Sequence, residues 1–347
     1  MKTHVFAAAL VLSLGAAMPA AAQFTQEEED AMMEARFDAP PAGWEVPRTD
    51  WDDPDLRGKW PIDYLAGTPR TRPPQLGDRR FLTDEEYQAA FRTAESMIER
   101  YDEEDEANMM AMGHWNERGH PLRQTSLTME PANGQMPPRT AEGERRAANE
   151  KTSWNTYVFD TMDDFGVFDR CLTRGMPGSM LPGAYNMGIE IFQSPGLVAI
   201  TVEMIHETRM VYLDGRDPPP ADVQFDLGYS IGHWEGDTLV IETTNFRPMM
   251  SGGNSEQMRV VEHLTMKNQD QIHYEAWVED PVVLTGPYKL DFPWVRNDDY
   301  GMYEYACHEG NVQVRGYIMS TSARFAEERA ATWRARGEEP ESGVPVR

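Results

Sequence analysis

Between Gly188 and Ile318, short runs of β-branched, aromatic and aliphatic residues follow one another, punctuated by turn residues. The runs are Gly188–Phe192, Leu197–Leu213, Asp237–Phe246, Met258–Met266, Ile272–Glu279, Tyr288–Phe292, Tyr303–Cys307 and Val312–Ile318. Glu235-Gly236-Asp237 and Asn268-Gln269-Asp270 make tight connections between neighbours. Consecutive strands with short turns predict a mainly β fold, an antiparallel meander. Curling that meander into a barrel or open barrel removes its unpaired edges. The antiparallel β domain is expected over 151–320, with a C-terminal helix at about Ser322–Arg336 inside a 321–347 helix and tail.

The chain ahead of the strands is different in texture. Lys2, the apolar run Val5–Ala17 and Ala20-Ala21-Ala22 predict a secretory signal peptide over 1–22, too short to span a membrane. No Cys follows the cleavage pattern, so no lipid anchor is expected there, and the expected location is periplasmic or secreted without membrane insertion. Residues 23–55 read as an acidic extended arm whose Trp44 and Trp51 dock on the body. Residues 56–150 read as an irregular and helical segment packed on the barrel and contributing its first strand. Thr83-Asp84-Glu85-Glu86 is a capping box, and Tyr87, Phe91, Ala94 and Ile98 follow helical spacing, which predicts a helix over about 84–101. A second, shorter helix is expected at Thr140–Lys151. Gly58-Lys59-Trp60 resembles the first-strand G-x-W of lipocalin-like barrels, in which the Trp plugs the closed end. That resemblance implies a lipocalin-like barrel around a small-molecule cavity.

The formal charge is -26, from 58 acidic and 32 basic residues. Such a surface repels nucleic acid and anionic lipid, so neither is expected as a partner. Cys171 and Cys307 are the two cysteines; in an oxidising compartment they read as a long-range disulfide, the rival being a reactive thiol in ACHEGN. There is no G-x-G-x-x-G, P-loop or G-x-S-x-G, and no cofactor is expected. His114 and His120 lie in a Gly-rich stretch without a tight ligand set and read as surface histidines; no metal site is expected.

The candidate chemistry lies in Val202–Arg216, which puts Glu203, His206, Glu207 and Arg209 inside an apolar run. As one continuous strand, it places His206 with Val198, Ile200 and Val202, and Glu203, Glu207 and Arg209 on the opposite face. HETR lacks the second His of a zinc-protease motif. Glu262 sits among apolar neighbours on the next oddly charged strand, and Tyr274 shares the face that should meet it. His206 and Glu262 in one cavity would form an acid/base pair with Tyr274 as oxyanion donor. The alternative is a buried network that merely satisfies its own hydrogen bonds. Glu203, Arg209, Arg174, Asn245, His308 and Glu309 complete the candidate ligand contacts; a Cys171–Cys307 bridge would gather Arg170, Arg174, His308, Glu309 and Asn311 at one rim.

The segments DRCLTRGMPGSM, EMIHETRMVYLDGR, GHWEGDTLVIETTNF, VEDP and YEYACHEGN occur in this order over about residues 140–325. Together they resemble a large group of uncharacterised exported bacterial proteins, which implies an envelope location and transfers no catalytic residue. The expected function is metal-independent acid/base chemistry, as a lyase, isomerase or hydrolase, on a small, partly apolar organic molecule. A non-catalytic periplasmic carrier of a hydrophobic ligand and a structural envelope protein are the alternatives.

Overall fold

The computed structural model describes residues 24–111, 113, 116–149, 152–153, 159–248 and 253–337. The expected signal peptide, His114 and the tail beyond 337 lie outside the described residues. Among the described residues, ten strands form one curled sheet, a half-barrel. They are β1 (Gly58–Lys59), β2 (Thr128–Glu130), β3 (Ile189–Ser194), β4 (Leu197–Val202), β5 (Glu207–Tyr212), β6 (Tyr229–Glu235), β7 (Thr238–Thr244), β8 (Arg259–Asn268), β9 (Gln271–Glu279) and β10 (Tyr288–Val295). Their order in space is β1-β3-β4-β5-β6-β7-β8-β9-β10-β2. The mostly antiparallel meander is therefore present. Two expected tight turns are there: Glu235 pairs with Thr238 around Gly236, and Asn268 pairs with Gln271.

One pair departs from the pattern. β5 and β6 run parallel, with Val211 opposite Ser230. A parallel neighbour needs a crossover connection, and residues 213–228 supply it. Asn245 holds that loop down, its side-chain amide donating to the carbonyls of Pro219, Pro220 and Val223 at 3.0–3.1 Å. β6 carries no strong strand signal because Gly232 and His233 interrupt it. Gly232 is required there: a Cβ would lie 2.9 Å from the side chains of Val211 and Leu213.

Burial alternates with period two along β8 and β9, so Val260, Leu264, Met266, Ile272, Ala276 and Val278 face the concave interior. The sheet's far ends are pinned by the chain after β10 rather than by a strand ladder. Asn297 N–H donates to Lys59 O and Lys59 N–H donates to Asp298 Oδ1, both at 3.0 Å. Trp60 is fully buried at this junction, its indole N–H donating to Leu56 O at 2.9 Å, with the Arg296 guanidinium 5.5 Å from its ring centre.

The α-helices among the described residues are α1 (Gln26–Glu34), α2 (Asp84–Glu106), α3 (Ala141–Ala148), the single turn α4 (Cys307–Gly310), α5 (Val312–Thr321) and α6 (Ala323–Arg336). The Thr83–Glu86 capping box starts α2 as its sequence dictates. Two expectations fail. Tyr303–Cys307 is not a strand, and Val312–Ile318 is helical. Val314, Tyr317 and Ile318 recur at helical spacing and pack on Phe159 and Phe165, so a tertiary contact overrides the β preference of Val312 and Val314. Cys171 and Cys307 form a disulfide across 136 positions.

The 23–55 arm is not wholly extended, since Thr25 and Glu28 cap α1. Just beyond α1, Arg36 reaches the outer face of β10 and donates to Asp291 Oδ1 at 2.7 Å. His273 Nε2 lies 2.9 Å from the same oxygen and Lys289 Nζ 3.0 Å from Oδ2. β10 is consequently buried on both faces, and Asp291 is 1% exposed. Burial alone would push its carboxyl up. The His273 hydrogen bond and the charges of Arg36, His273 and Lys289 outweigh that and hold it well below the usual carboxylate range. A depressed acid contributes stability that is complete above its unfolded value of about 3.9 and is lost as pH falls through the folded value. Asp291→Asn should therefore cost about 3 kcal/mol at pH 7 in urea denaturation. The gap to wild type should narrow steadily below about pH 4; a gap independent of pH would refute this account.

Candidate functional site

The run Leu197–Leu213 is not one strand. β4 and β5 are a hairpin, Val202 pairing with Glu207 and Ile200 with Arg209. The four residues Glu203–His206 make the turn, although none is Gly, Pro, Asn or Asp. What turns the chain is the buried Glu203 carboxylate. It accepts from Asn186 Nδ2 at 2.8 Å, Gly188 N at 3.1 Å, Tyr300 Oη at 2.9 Å and Tyr303 N at 3.1 Å. Gly188 must lack a side chain here, since a Cβ would lie 2.8 Å from Glu203 Oε2 and 2.7 Å from the Tyr300 ring. Ile205 and His206 take positive φ values of 63° and 59° to close the loop, a conformation that strains a β-branched residue.

An even-numbered turn reverses the alternation. Val198, Ile200 and Val202 face inward on β4, but on β5 the inward residues are Arg209 and Val211. His206, Thr208 and Met210 are exposed. The expected His206–Glu262 pair is therefore not assembled: His206 lies on a solvent-facing turn, and Arg209 takes the interior place.

Arg209 crosses the concave face to Glu262 on β8. Its Nη1 pairs with Oε2 and its Nη2 lies 3.0 Å from Oε1, a two-pronged contact. Tyr274 on β9 donates its hydroxyl to the same Oε1 at 2.9 Å. Tyr274 stacks on Trp294 with ring centres 4.6 Å apart. Glu262 and Tyr274 are fully buried and Arg209 is 4% exposed. Burial opposes the Arg209 charge, but Glu262 more than compensates, and its pKa lies above the ordinary arginine value. Burial, then the Glu262 charge, pushes the Tyr274 phenol well above its ordinary range. β6 and β7 lie between the two strands, and β6 places the small Ser230 and Gly232 opposite Val211 and Ile241. The trio is an enclosed strut across the half-barrel that brings Glu262 and Tyr274 together without a path for substrate.

The remaining candidates scatter. Arg170, His308 and Asn311 line a surface cleft beside the disulfide, of about 420 Å³. Asn311 Nδ2 donates to Asp169 O at 2.8 Å. Glu309 is exposed and takes no part in that lining. Asn245 is occupied with the crossover loop. Arg174 lies elsewhere, between two cavities. The larger, about 830 Å³, runs along α2, whose Ala90, Thr93, Ala94, Met97, Ile98 and Tyr101 form one stripe at helical spacing. Leu127, Leu181 and Pro182 face that stripe, and Glu117 and Arg174 supply charge. Burial, then the neighbouring Asp63, raises the Glu117 carboxyl; burial lowers the Arg174 guanidinium. Glu207 anchors the segment that carries Arg174, Ser179 Oγ donating to it at 3.3 Å. No local motif in the sequence announces the α2 cavity. The signal that is present lies in the small residues Ala90 and Ala94 on an otherwise apolar helix face, which leave a groove rather than filling it.

His273, Glu275 and Asp291 are the group with metal-ligand spacing among the described residues. Lys289 Nζ lies 2.9 Å from Glu275 and 3.0 Å from Asp291, and Arg36 holds Asp291 as well. The negative charge there is already balanced, and the group serves as the anchor of the N-terminal arm. Comparison with protein-family models, curated proteins and solved structures finds no match.

The strut makes a double-variant test possible. Glu262→Leu leaves a guanidinium buried without its carboxylate and should cost about 3–5 kcal/mol. Adding Arg209→Met should restore most of that loss in the denaturation midpoint, because a well-packed apolar pair substitutes for a buried ion pair. Equal destabilisation of the single and double variants would refute a charge-balancing role.

Proposed function

We propose that the protein is an exported carrier of a small, partly apolar molecule, held in the groove between α2 and the 174–184 segment. The observation that carries this reading is the cavity itself. At about 830 Å³ it falls within the size range of small-molecule sites. Its walls are mainly apolar side chains and glycines, interrupted by polar groups that include Arg70, Asn116, Glu117 and Arg174, a mixture such sites share. Within the half-barrel, Trp60, Tyr274, Phe292 and Trp294 are fully buried and belong to the packed core.

The acid/base reading loses its support because His206 is exposed and Glu262 is bound on both oxygens. Export is supported by the N-terminal sequence and by the Cys171–Cys307 disulfide, since such bonds persist in oxidising compartments. No helix among the described residues is long and apolar enough to cross a membrane. A periplasmic or secreted location follows from these features as part of the same proposal.

The neutral fluorophore N-phenyl-1-naphthylamine should bind the folded protein at one saturable site. Ala94→Trp would fill the groove beside Met97 and Ile98 and should weaken that binding at least about tenfold. Circular dichroism would verify that the variant is folded. Unchanged fluorophore affinity in a folded Ala94→Trp protein would overturn the assignment of the site.

A further inference from the structure

We propose that the ligand is an amphiphile with an oxyanion head, its apolar chain lying along α2 and its head held by Arg174 and Arg70 where two cavities meet. This rests on the carrier reading above and specifies the chemistry of the same site.

The second cavity, about 590 Å³, adjoins the α2 groove, and both are lined by Arg70, Arg174 and Gly178. The second is flanked in addition by Arg139. On a chain with 58 acidic against 32 basic residues, many guanidiniums pair with a carboxylate, among them Arg36, Arg79, Arg118, Arg209 and Arg259. The buried Arg72, which does not, is taken up by Thr125 Oγ1 and the Gly77 carbonyl. Arg70, Arg139 and Arg174 form no ion pair among the described residues, and the second cavity gathers all three. Arg174 is half-buried and donates to the Leu181 carbonyl at 3.2 Å, so its side chain is fixed while its charge is left uncompensated by direct contact. Arg70 donates to Tyr288 Oη at 3.2 Å, which aims it at the same junction.

The acids nearest these cavities are already engaged. Asp280 accepts from Ser255 N and Ser255 Oγ, each at 2.7 Å, and from the Val282 and Val283 amides. Glu117 accepts from Asn186 N at 3.0 Å. Neither forms an ion pair with the arginines. A guanidinium pair lining two adjoining cavities is suited to a carboxylate or phosphate, which accept paired N–H donors. The other end of the site is apolar and elongated. From Ala90 to Tyr101 the lining stripe covers about 16 Å of helix, enough for an extended alkyl chain of about ten carbons. One polar end and one long apolar end define an amphiphile.

Competition against bound N-phenyl-1-naphthylamine at pH 8 tests this on the full mature chain, with decanoate, decyl phosphate and decanol as competitors. The anions should displace the fluorophore at a concentration about tenfold or more below that of decanol. The stronger of the two anions identifies the head as carboxylate or phosphate. In Arg70→Gln/Arg174→Gln that preference should vanish while decanol competes as before. Equal potency of decanol and the anions on wild type, with fluorophore binding intact, would overturn the oxyanion head and leave the carrier reading standing. An anion preference that survives in the folded double variant would overturn the assignment to these arginines. Failure of wild type to bind the fluorophore or any competitor would overturn both.

Discussion

Glu203 closes the hairpin on which the interior depends. Its carboxylate lies in a site with four donors, drawn from the approach to β3 and from the chain after β10. A buried carboxylate without those donors would be prohibitively unstable. With them it becomes the point around which the chain reverses. The reversal sets the parity of β5, and that parity sends Arg209 inward and His206 outward. Arg209 then meets Glu262, which would otherwise be an unbalanced charge in a dry interior. The Tyr300–Tyr303 segment, tied to the same carboxylate, leads into Cys307 and so links the hairpin to the covalent bridge.

Two opposite ways of handling charge coexist in this molecule. Inside the half-barrel, Arg209 and Glu262 neutralise each other. On the outer face of β10, Asp291 is surrounded by Arg36, His273 and Lys289, and the result is adhesion of the N-terminal arm. A buried charge pair adds little net stability compared with well-packed apolar groups. It does penalise misregistered pairings, since a one-residue slip of β8 would carry Glu262 to the other face and leave Arg209 alone. The strut thus bears more on which sheet forms than on how firmly it holds.

Much of the sheet was legible in the sequence because period-two burial and two-residue turns are local signals. β8 and β9 carry both, β6 and β7 share the other two-residue turn, and the G-x-W marks the position of β1 and the buried Trp60. The hairpin was illegible for a specific reason: its turn is specified by donors more than 80 residues away in the case of the Tyr300 segment, with no local turn chemistry in EMIH. Length was the overlooked clue, since a strand of 17 residues far exceeds the usual five or six. Glu262 and Tyr274 meet as their strand positions predict, whereas the third partner is Arg209 rather than His206 because the turn reverses the parity of β5. The helical character of Val312–Ile318 was hidden for the same kind of reason, since Phe159 and Phe165 supply its packing surface from far upstream. The α2 groove was missed because a groove is defined by what faces a helix, and Leu127 and Leu181 are distant in sequence.

The Cys171–Cys307 bond closes a covalent ring, and eight of the ten strands, β3 to β10, lie on it. β1, β2 and the first three helices belong to one tail of that ring, and most of the C-terminal helical region to the other. A peptide bond hydrolysed anywhere between the two cysteines would therefore leave a single connected molecule. The exposed crossover loop at 213–228 sits within this protected stretch, so a nick there would not by itself separate β5 from β6. The ring thus makes this exposed loop one whose cleavage releases no fragment.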